Sequence, residues 1–330
     1  DEAMIYDITT AKAMGFNMAR KHVKVEPARW YYWCDKLGLL VWQDMPNGDV
    51  GDGTKDLAFS ADTAALYRRE LRAIIDALNH HPSIVMWVPF NEGWGQHDTM
   101  AVAEWVKRYD PTRLVNNASG WTDHFAGDVL DIHAYPNPKR PALEERRAVA
   151  CGEFGGLGFV EEGHMWQADK NWGYRSYQDR AIYQTAYADL IRQQQRQRAE
   201  GLAAAVYTQT IDVEIECNGL LTYDRAVVKL PADWLAAQAA LIHQPAPVPV
   251  VILPTAREQA LEWRFTTTRP AEGWARTDFD DASWLSGPAG FGQPGTVGAK
   301  VKTEWRTPEI WLRHAFEFDG RALQDPQLVL

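Results

Sequence analysis

Two glutamates stand where the chain has reason not to put charge. Glu92 ends the apolar run Ile84-Val85-Met86-Trp87-Val88-Pro89-Phe90-Asn91, and Glu153 ends Ala148-Val149-Ala150-Cys151-Gly152. Each run is short, continuous and closed by glycine, Gly93 after the first and Gly155-Gly156 after the second. That is the pattern of a strand buried on both faces. A carboxylate at such a point is costly unless it meets a solvated pocket. In a parallel α/β barrel the C-terminal ends of the strands form that pocket. Two carboxylates brought there from different strands are the minimum equipment for breaking a glycosidic bond.

The elements that must position them follow from periodicity. Apolar strand candidates lie at 16–21, 39–45, 84–90, 114–118, 129–134, 148–152 and 203–209. Helical patterns fall between most of them: 4–14; 26–37 with Trp30, Trp33 and Cys34 on one face; a stripe of Leu66, Leu71, Ile74, Ile75 and Leu78; Met100 to Val106; Ile182 to Arg198; and 231–242. Strand and helix in alternation predict a parallel sheet with helices outside. A (β/α)8 TIM barrel closes with eight strands, and the chain offers seven and opens on a helix. The expectation is therefore an α/β barrel over 1–243 whose first strand lies upstream of Asp1. An open doubly wound sheet is the alternative, but it would carry a glycine-rich phosphate loop after an early strand, and the chain has none.

After the barrel the composition changes. Residues 244–257 are proline-rich and read as a semi-rigid linker. From 258 to 330 the pattern is short alternating strands between Gly and Pro turns, at Leu261–Phe265, Phe279–Trp284 and Trp311–Phe318. That predicts a partial all-β sandwich.

Bulk properties exclude several classes of function. A net charge of -10 argues against nucleic acid, whose phosphates need a basic face. No run approaches the ~20 apolar residues of a membrane span. Cys34, Cys151 and Cys217 lie far apart without metal-ligand or disulfide spacing, so they read as buried thiols. His97 and Asp98 beside Glu92 are too few to hold a metal, and nothing implies a cofactor. The sequence specifies neither compartment nor oligomeric state.

At this point the chain resembles a known family. Gly15–His22, Cys34–Asp44, His81–Glu92 and Gly152–Gly156 are similar, in order and spacing, to the barrel motifs of glycoside hydrolase family 2, the β-galactosidases, β-glucuronidases and β-mannosidases. The resemblance covers about residues 5–230. It implies a retaining exo-glycosidase with a carbohydrate substrate, Glu92 as acid/base and Glu153 as nucleophile. It also implies that Asn91 donates to the sugar 2-hydroxyl and that His22 lies near the sugar. His133 and Tyr135 end the strand before the nucleophile strand, and Tyr135 is positioned to orient Glu153. Arg20 is positioned to pair with Glu153; Asp44, at a strand end, reads as structural. Among 15 tryptophans, Trp94, Trp121 and Trp166 fall in loops at the expected mouth and are the stacking candidates. The family's Ser-His-Tyr-Pro stretch reads Lys21-His22-Val23-Lys24 here, and its Asn-x-Lys carboxylate clamp is not evident, so the sugar stays open. The segment after 258 resembles a galactose-binding-like sandwich. A non-catalytic carbohydrate-binding or inactive barrel is the alternative.

Overall fold

Continuous apolar segments have no solvent-facing side, so they pair in parallel beneath covering helices. The computed structural model describes residues 1–48, 50–247, 250–256, 258–295 and 300–320, and in it they do so in two arcs. In the first, β1 (Met18–Lys21), β2 (Leu40–Asp44) and β3 (Ile84–Val88) pair side by side. Pro89 has no N–H to give a ladder. There β3 breaks, resuming as β4 (Phe90–Asn91). The neighbouring strand is divided likewise: β5 (Leu114–Val115) pairs with β3, and β6 (Ala118–Ser119) with β4.

The second arc begins with β7 (Val129–Ala134) and β8 (Ala148–Gly155), paired in parallel. The short β9 (Leu157–Phe159) follows and pairs with β10 (Arg175–Tyr177). Then β11 (Leu202–Thr208) returns beside β8. Counting β3–β4 and β5–β6 as interrupted single strands and setting aside the separate β9–β10 pair, the described residues supply seven, with β1 and β11 as outer strands of the two arcs. Trp42, Met86 and Val88 from the first arc meet Val129 and Ala150 from the second in one buried cluster. That cluster fills the interior of an α/β barrel.

The helices cover the outside. They are α1 (Glu2–Ala13), α2 (Ala28–Leu37), α3 (Ala61–Leu78), α4 (Thr99–Tyr109), α5 (Arg180–Ala199) and α6 (Ala232–Leu241). Ser60 caps α3 by accepting from the Thr63 N–H, and Asp179 caps α5 by accepting from Ile182, each meeting a donor that the helix leaves unpaired. Ile8, Tyr31, Ile75, Trp87, Val102 and Val106 form the core behind the first arc. Tyr183, Tyr187, Leu190 and Leu235 form the core behind the second. The three cysteines are free and buried. No helix of the described residues is long and apolar enough to cross a membrane.

Residues Asp1–Pro247 and Val248–Leu330 form separate compact units. In the second, β12 (Glu262–Thr266) pairs antiparallel with β13 (Leu285–Pro288) and with β16 (Trp311–Arg313), while β14 (Phe291–Gly292) pairs with β15 (Thr303–Glu304). The expected strand at Phe279–Trp284 is instead a turn. There Asp280 accepts from the Ala282 N–H, and the Trp284 N–H donates to Asp281, the local bonding that draws Asp away from a ladder. The strand expected at Trp311–Phe318 ends at Arg313. In the expected linker, Val248, Pro249 and Arg257 lie outside the described residues, as do 296–299 and 321–330 of the expected sandwich.

Leu66 corrects the expected α3 stripe. It is 42% exposed, whereas Leu71, Ile75 and Leu78 are buried, so the buried face begins a turn later. We expect Ile75→Ala to cost about 2–5 kcal/mol in urea unfolding, because the site is closed on all sides. Leu66→Ala should change stability by no more than about 0.5 kcal/mol.

Candidate active site

Glu153 is aimed by a bulge. Across β7 and β8, Cys151 faces Ile132 and Glu153 faces His133, so Gly152 is the extra residue. Such an insertion turns the following side chain. Gly152 is required there: its N–H donates to Asp131, and a Cβ would come within 2.1 Å of Asp131 Oδ2 and 2.5 Å of Ser119 Oγ. Glu92 is aimed differently. Its N–H donates to Ser119 O at 2.7 Å, at the end of the β4–β6 pairing, and its backbone then turns left-handed, with φ 53. Gly93 follows with φ 79, pressed so closely on Gly53 that a Cβ would lie 2.1 Å from the Gly53 carbonyl.

Arg20 ties these strand ends together. Nε and Nη2 donate to the Asp44 carboxylate at 3.1 and 2.8 Å, Nη2 to Asn91 Oδ1 at 2.6 Å, and Nη1 to Glu153 Oε1 at 2.9 Å. Nη1 also approaches the Gly152 carbonyl at 3.4 Å. Burial alone would lower the guanidinium pKa, but Asp44 and then Glu153 hold it above its ordinary value. Arginine has donors only. The Asn91 atom facing it is therefore the amide oxygen, and Nδ2 is turned elsewhere.

His133 and Tyr135 complete the inner layer. The Tyr135 hydroxyl donates to Glu153 Oε2 at 2.6 Å, and burial, then Glu153, raise its pKa. His133 Nδ1 lies 2.7 Å from Glu92 Oε1 and 3.3 Å from Glu153 Oε2. Its Nε2 faces Arg20 Nη1 at 3.3 Å and Ser119 Oγ at 2.9 Å. Both ring nitrogens thus have polar partners: Nδ1 meets the two carboxylates, and Nε2 meets Arg20 and Ser119. Burial lowers the His133 pKa to about 4, against the pull of Glu153, so the ring is neutral at pH 7. With a side chain 1% exposed, His133 stands behind the carboxylates.

The other expected residues are distributed around this layer. His22 is 58% exposed, with Nε2 3.8 Å from Glu153 Oε1. Trp94 and Trp121 meet edge to face at 5.8 Å on the Glu92 side, where Trp94 bridges back to Asn91. Trp166 is not gathered in; it is exposed and packs edge-on to Tyr223 at 5.6 Å. Lys24 is held by Glu26 at 3.0 Å. Sequence reasoning missed Tyr174, which stacks on Tyr135 at 3.6 Å, and the buried Ser119–Asp131 pair at 2.6 Å. The Asp in Asp131-Ile132-His133 was a usable signal for the second; Tyr174, in an irregular loop, had none.

The glycine amides beside Glu153 do not stabilise its carboxylate. Gly152 N–H donates to Asp131, Gly155 N–H to Pro136 O at 2.9 Å and Gly156 N–H to Thr208 O at 2.7 Å. Arg20 and Tyr135 donate to Glu153 instead.

Among the described residues, the set of His, Cys, Asp or Glu side chains close enough to share a metal is Glu92, His133 and Glu153, with ligand atoms within 4.8 Å of one another. A cation there would have to break the close contact of His133 Nδ1 with the Glu92 carboxylate. His97 is buried, with Nδ1 at 3.0 Å from the Gly95 carbonyl.

Two carboxylates from different strands thus converge, one fixed by a cation and a phenol, the other by a neutral imidazole. A sequence profile for glycosyl hydrolases family 2, TIM barrel domain, matches residues 1–227. The chain belongs to that family. A β-galactosidase of Psychromonas ingrahamii is 33% identical over 131 residues, which is 39% of this chain and 13% of that protein. One from Klebsiella pneumoniae is 30% identical over 129 residues, 38% of this chain and 12% of its own length. The chain thus matches only a small part of these relatives. Among solved structures, a β-galacturonidase from Eisenbergiella tayi bound to galacturonate superposes with TM-score 0.54 at 16% identity, over 72% of this chain and 47% of that one. A β-D-glucuronidase from Dictyoglomus thermophilum gives 0.55 at 16%, over 73% and 47%. At these identities the likeness is one of fold, the α/β barrel.

The depressed His133 pKa has a consequence for stability. Unfolded, the imidazole takes a proton below about 6.5; folded, it waits until about 4. Stability is therefore full above pH 6.5 and falls as pH drops towards 4, by on the order of 3 kcal/mol. Denaturant titrations across that range should show wild type losing about one proton's worth of slope more than His133→Gln.

Proposed function

We propose that this barrel is the catalytic domain of a retaining exo-glycosidase that hydrolyses terminal β-glycosides by double displacement. The observation that carries the reading is the spacing of the two carboxylates, whose nearest ligand atoms lie within 4.8 Å. Retaining enzymes hold their carboxyl groups ~5–5.5 Å apart, whereas inverting ones leave ~6.5–9.5 Å for a water.

The hydrogen bonds support a division of labour. Glu153, held by the Arg20 cation and the Tyr135 hydroxyl, is the anion that attacks the anomeric carbon as the bond to the leaving oxygen breaks. Glu92 protonates that oxygen, then removes a proton from the water that releases the sugar. His133 engages Glu92 Oε1 and so orients the carboxyl that carries the transferred proton. Asn91, its carbonyl turned to Arg20, offers Nδ2 to the sugar 2-hydroxyl. His22 stands at the sugar rim. Trp94 and Trp121 flank the leaving group, and Trp166 serves a more distant sugar unit if any. For the second unit, the antiparallel pairing of β12, β13 and β16 supports a galactose-binding-like sandwich as the working reading.

The test uses aryl β-glycosides with the full-length protein. We expect Glu153→Ala to lower kcat by at least about 10³-fold, with azide restoring part of it and giving a product of inverted configuration. Glu92→Ala should keep glycosylation by substrates with good leaving groups and accumulate the glycosyl-enzyme. Equal responses of the two variants to azide and leaving group would reverse or refute the assignment.

A further inference from the structure

A third carboxylate lies on the stretch that pairs with the aromatic loop behind Tyr135. Glu216 lies half-buried in the stretch after β11. Its backbone bridges to Trp172, with the Trp172 N–H donating to Ile215 O and the Cys217 N–H to Trp172 O, both at 2.9 Å. The Trp172 ring is 5.5 Å from Tyr174, which stacks on Tyr135, the phenol that donates to Glu153. The half-exposed Tyr174 phenol feels burial first and then Glu153, Glu92 and Glu216 together, and is pushed up to about 12.

Glu216 is held as a functional side chain would be. Its Oε1 accepts from Asn218 Nδ2 at 2.8 Å, and Asn218, fully buried, accepts from Gln209 Nε2 at 2.9 Å. That support fixes the carboxylate through Oε1. The side of the cleft is also informative. Trp94 and Trp121 flank Glu92, the proton donor to the leaving group, whereas the charge that Glu216 feels is that of Glu153, the proposed nucleophile. The cations at this end are already engaged: Arg20 by Asp44 and Glu153, Lys21 and Lys24 by Glu26.

We infer that Glu216 is a specificity-determining residue of the sugar subsite, accepting from hydroxyls of a neutral glycone and excluding glycones that carry a carboxylate. The inference rests on the glycosidase reading. Burial and then Glu153 already raise the Glu216 pKa, so this wall accommodates negative charge poorly. A uronate carboxylate set beside it would add a like-charge contact.

The experiment compares 4-nitrophenyl β-D-galactoside and β-D-glucoside with the matching galacturonide and glucuronide, using the full-length protein at pH 7. Wild type should cleave a neutral glycoside with kcat/KM at least roughly 10²-fold above its uronide partner, the scale of a like-charge penalty. Glu216→Gln keeps the shape and the Asn218 contact. It should raise KM for the neutral glycoside more than it lowers kcat, and narrow the neutral-to-uronide ratio at least tenfold. Galactose and galacturonate as competitive inhibitors of wild type give a second readout that needs no variant, with galactose expected to bind at least tenfold more tightly. A uronide cleaved as well as its neutral partner, a ratio unchanged in folded Glu216→Gln, or galacturonate inhibiting as well as galactose overturns this inference and leaves the glycosidase reading standing. Failure to cleave any aryl glycoside overturns both.

Discussion

The guanidinium of Arg20 is the constraint around which the barrel mouth is built. A buried cation without partners is expensive enough that the surrounding structure must supply them. Here they come from neighbouring strands and from across the barrel: Asp44 at the end of β2, Asn91 at the end of β4, and Glu153 with the Gly152 carbonyl on β8. The rigid fork of N–H donors suits this geometry better than a lysine ammonium would. Asp44 takes two of them side by side and fixes the plane of the group. The remaining donors then dictate which atom of Asn91 faces inward and where Glu153 Oε1 must sit. Removing one partner of such a buried pair generally costs roughly 3–5 kcal/mol, so the positions of the mouth residues and the stability of the fold are one problem.

From this follows the asymmetry between the two carboxylates. Side chains 19% and 12% exposed, Glu92 and Glu153 differ little in burial. They differ in who donates to them. Glu153 receives a cationic N–H and a phenol. Glu92 lies against an imidazole that burial keeps neutral. The two carboxylates thus sit in chemically different surroundings, as the proposed division of labour between them requires.

How much of this was legible in the sequence depended on the range of the interaction. The strands announced themselves because burial on both faces leaves an unbroken apolar run, and Glu92 and Glu153 announced themselves by ending two of those runs. Arg20 and Tyr135 were readable as partners of Glu153 because each also falls at a strand end. What the sequence could not carry was the register. The bulge at Gly152 decides which way Glu153 points, and it is set by Asp131 and Ser119, residues from two other strands. For the same reason, the glycines around Glu153 suggested free amides, whereas the fold commits them to carbonyls and to Asp131. His133 could be placed at a strand end from its pattern, but not behind the carboxylates. Glu216 and Tyr174 sit in irregular stretches whose course no periodicity describes. In the second unit, Phe279–Trp284 looked like a strand by its aromatic ends, and its Asp-Asp-Ala-Ser middle, which is turn chemistry, decided otherwise.

The bulge and the imidazole are coupled through the same two residues. Asp131 accepts from the Gly152 N–H and from the Ser119 hydroxyl, and Ser119 in turn lies 2.9 Å from His133 Nε2. The group that aims Glu153 is therefore linked, through one hydroxyl, to the ring that orients Glu92. A change at Asp131 would disturb both carboxylates at once, although it touches neither. Residues that share a network in this way respond non-additively when altered. In this mouth the unit of design is accordingly the hydrogen-bonded layer of Arg20, Asp44, Ser119, Asp131 and His133 beneath the two glutamates, and the glutamates inherit their geometry from it.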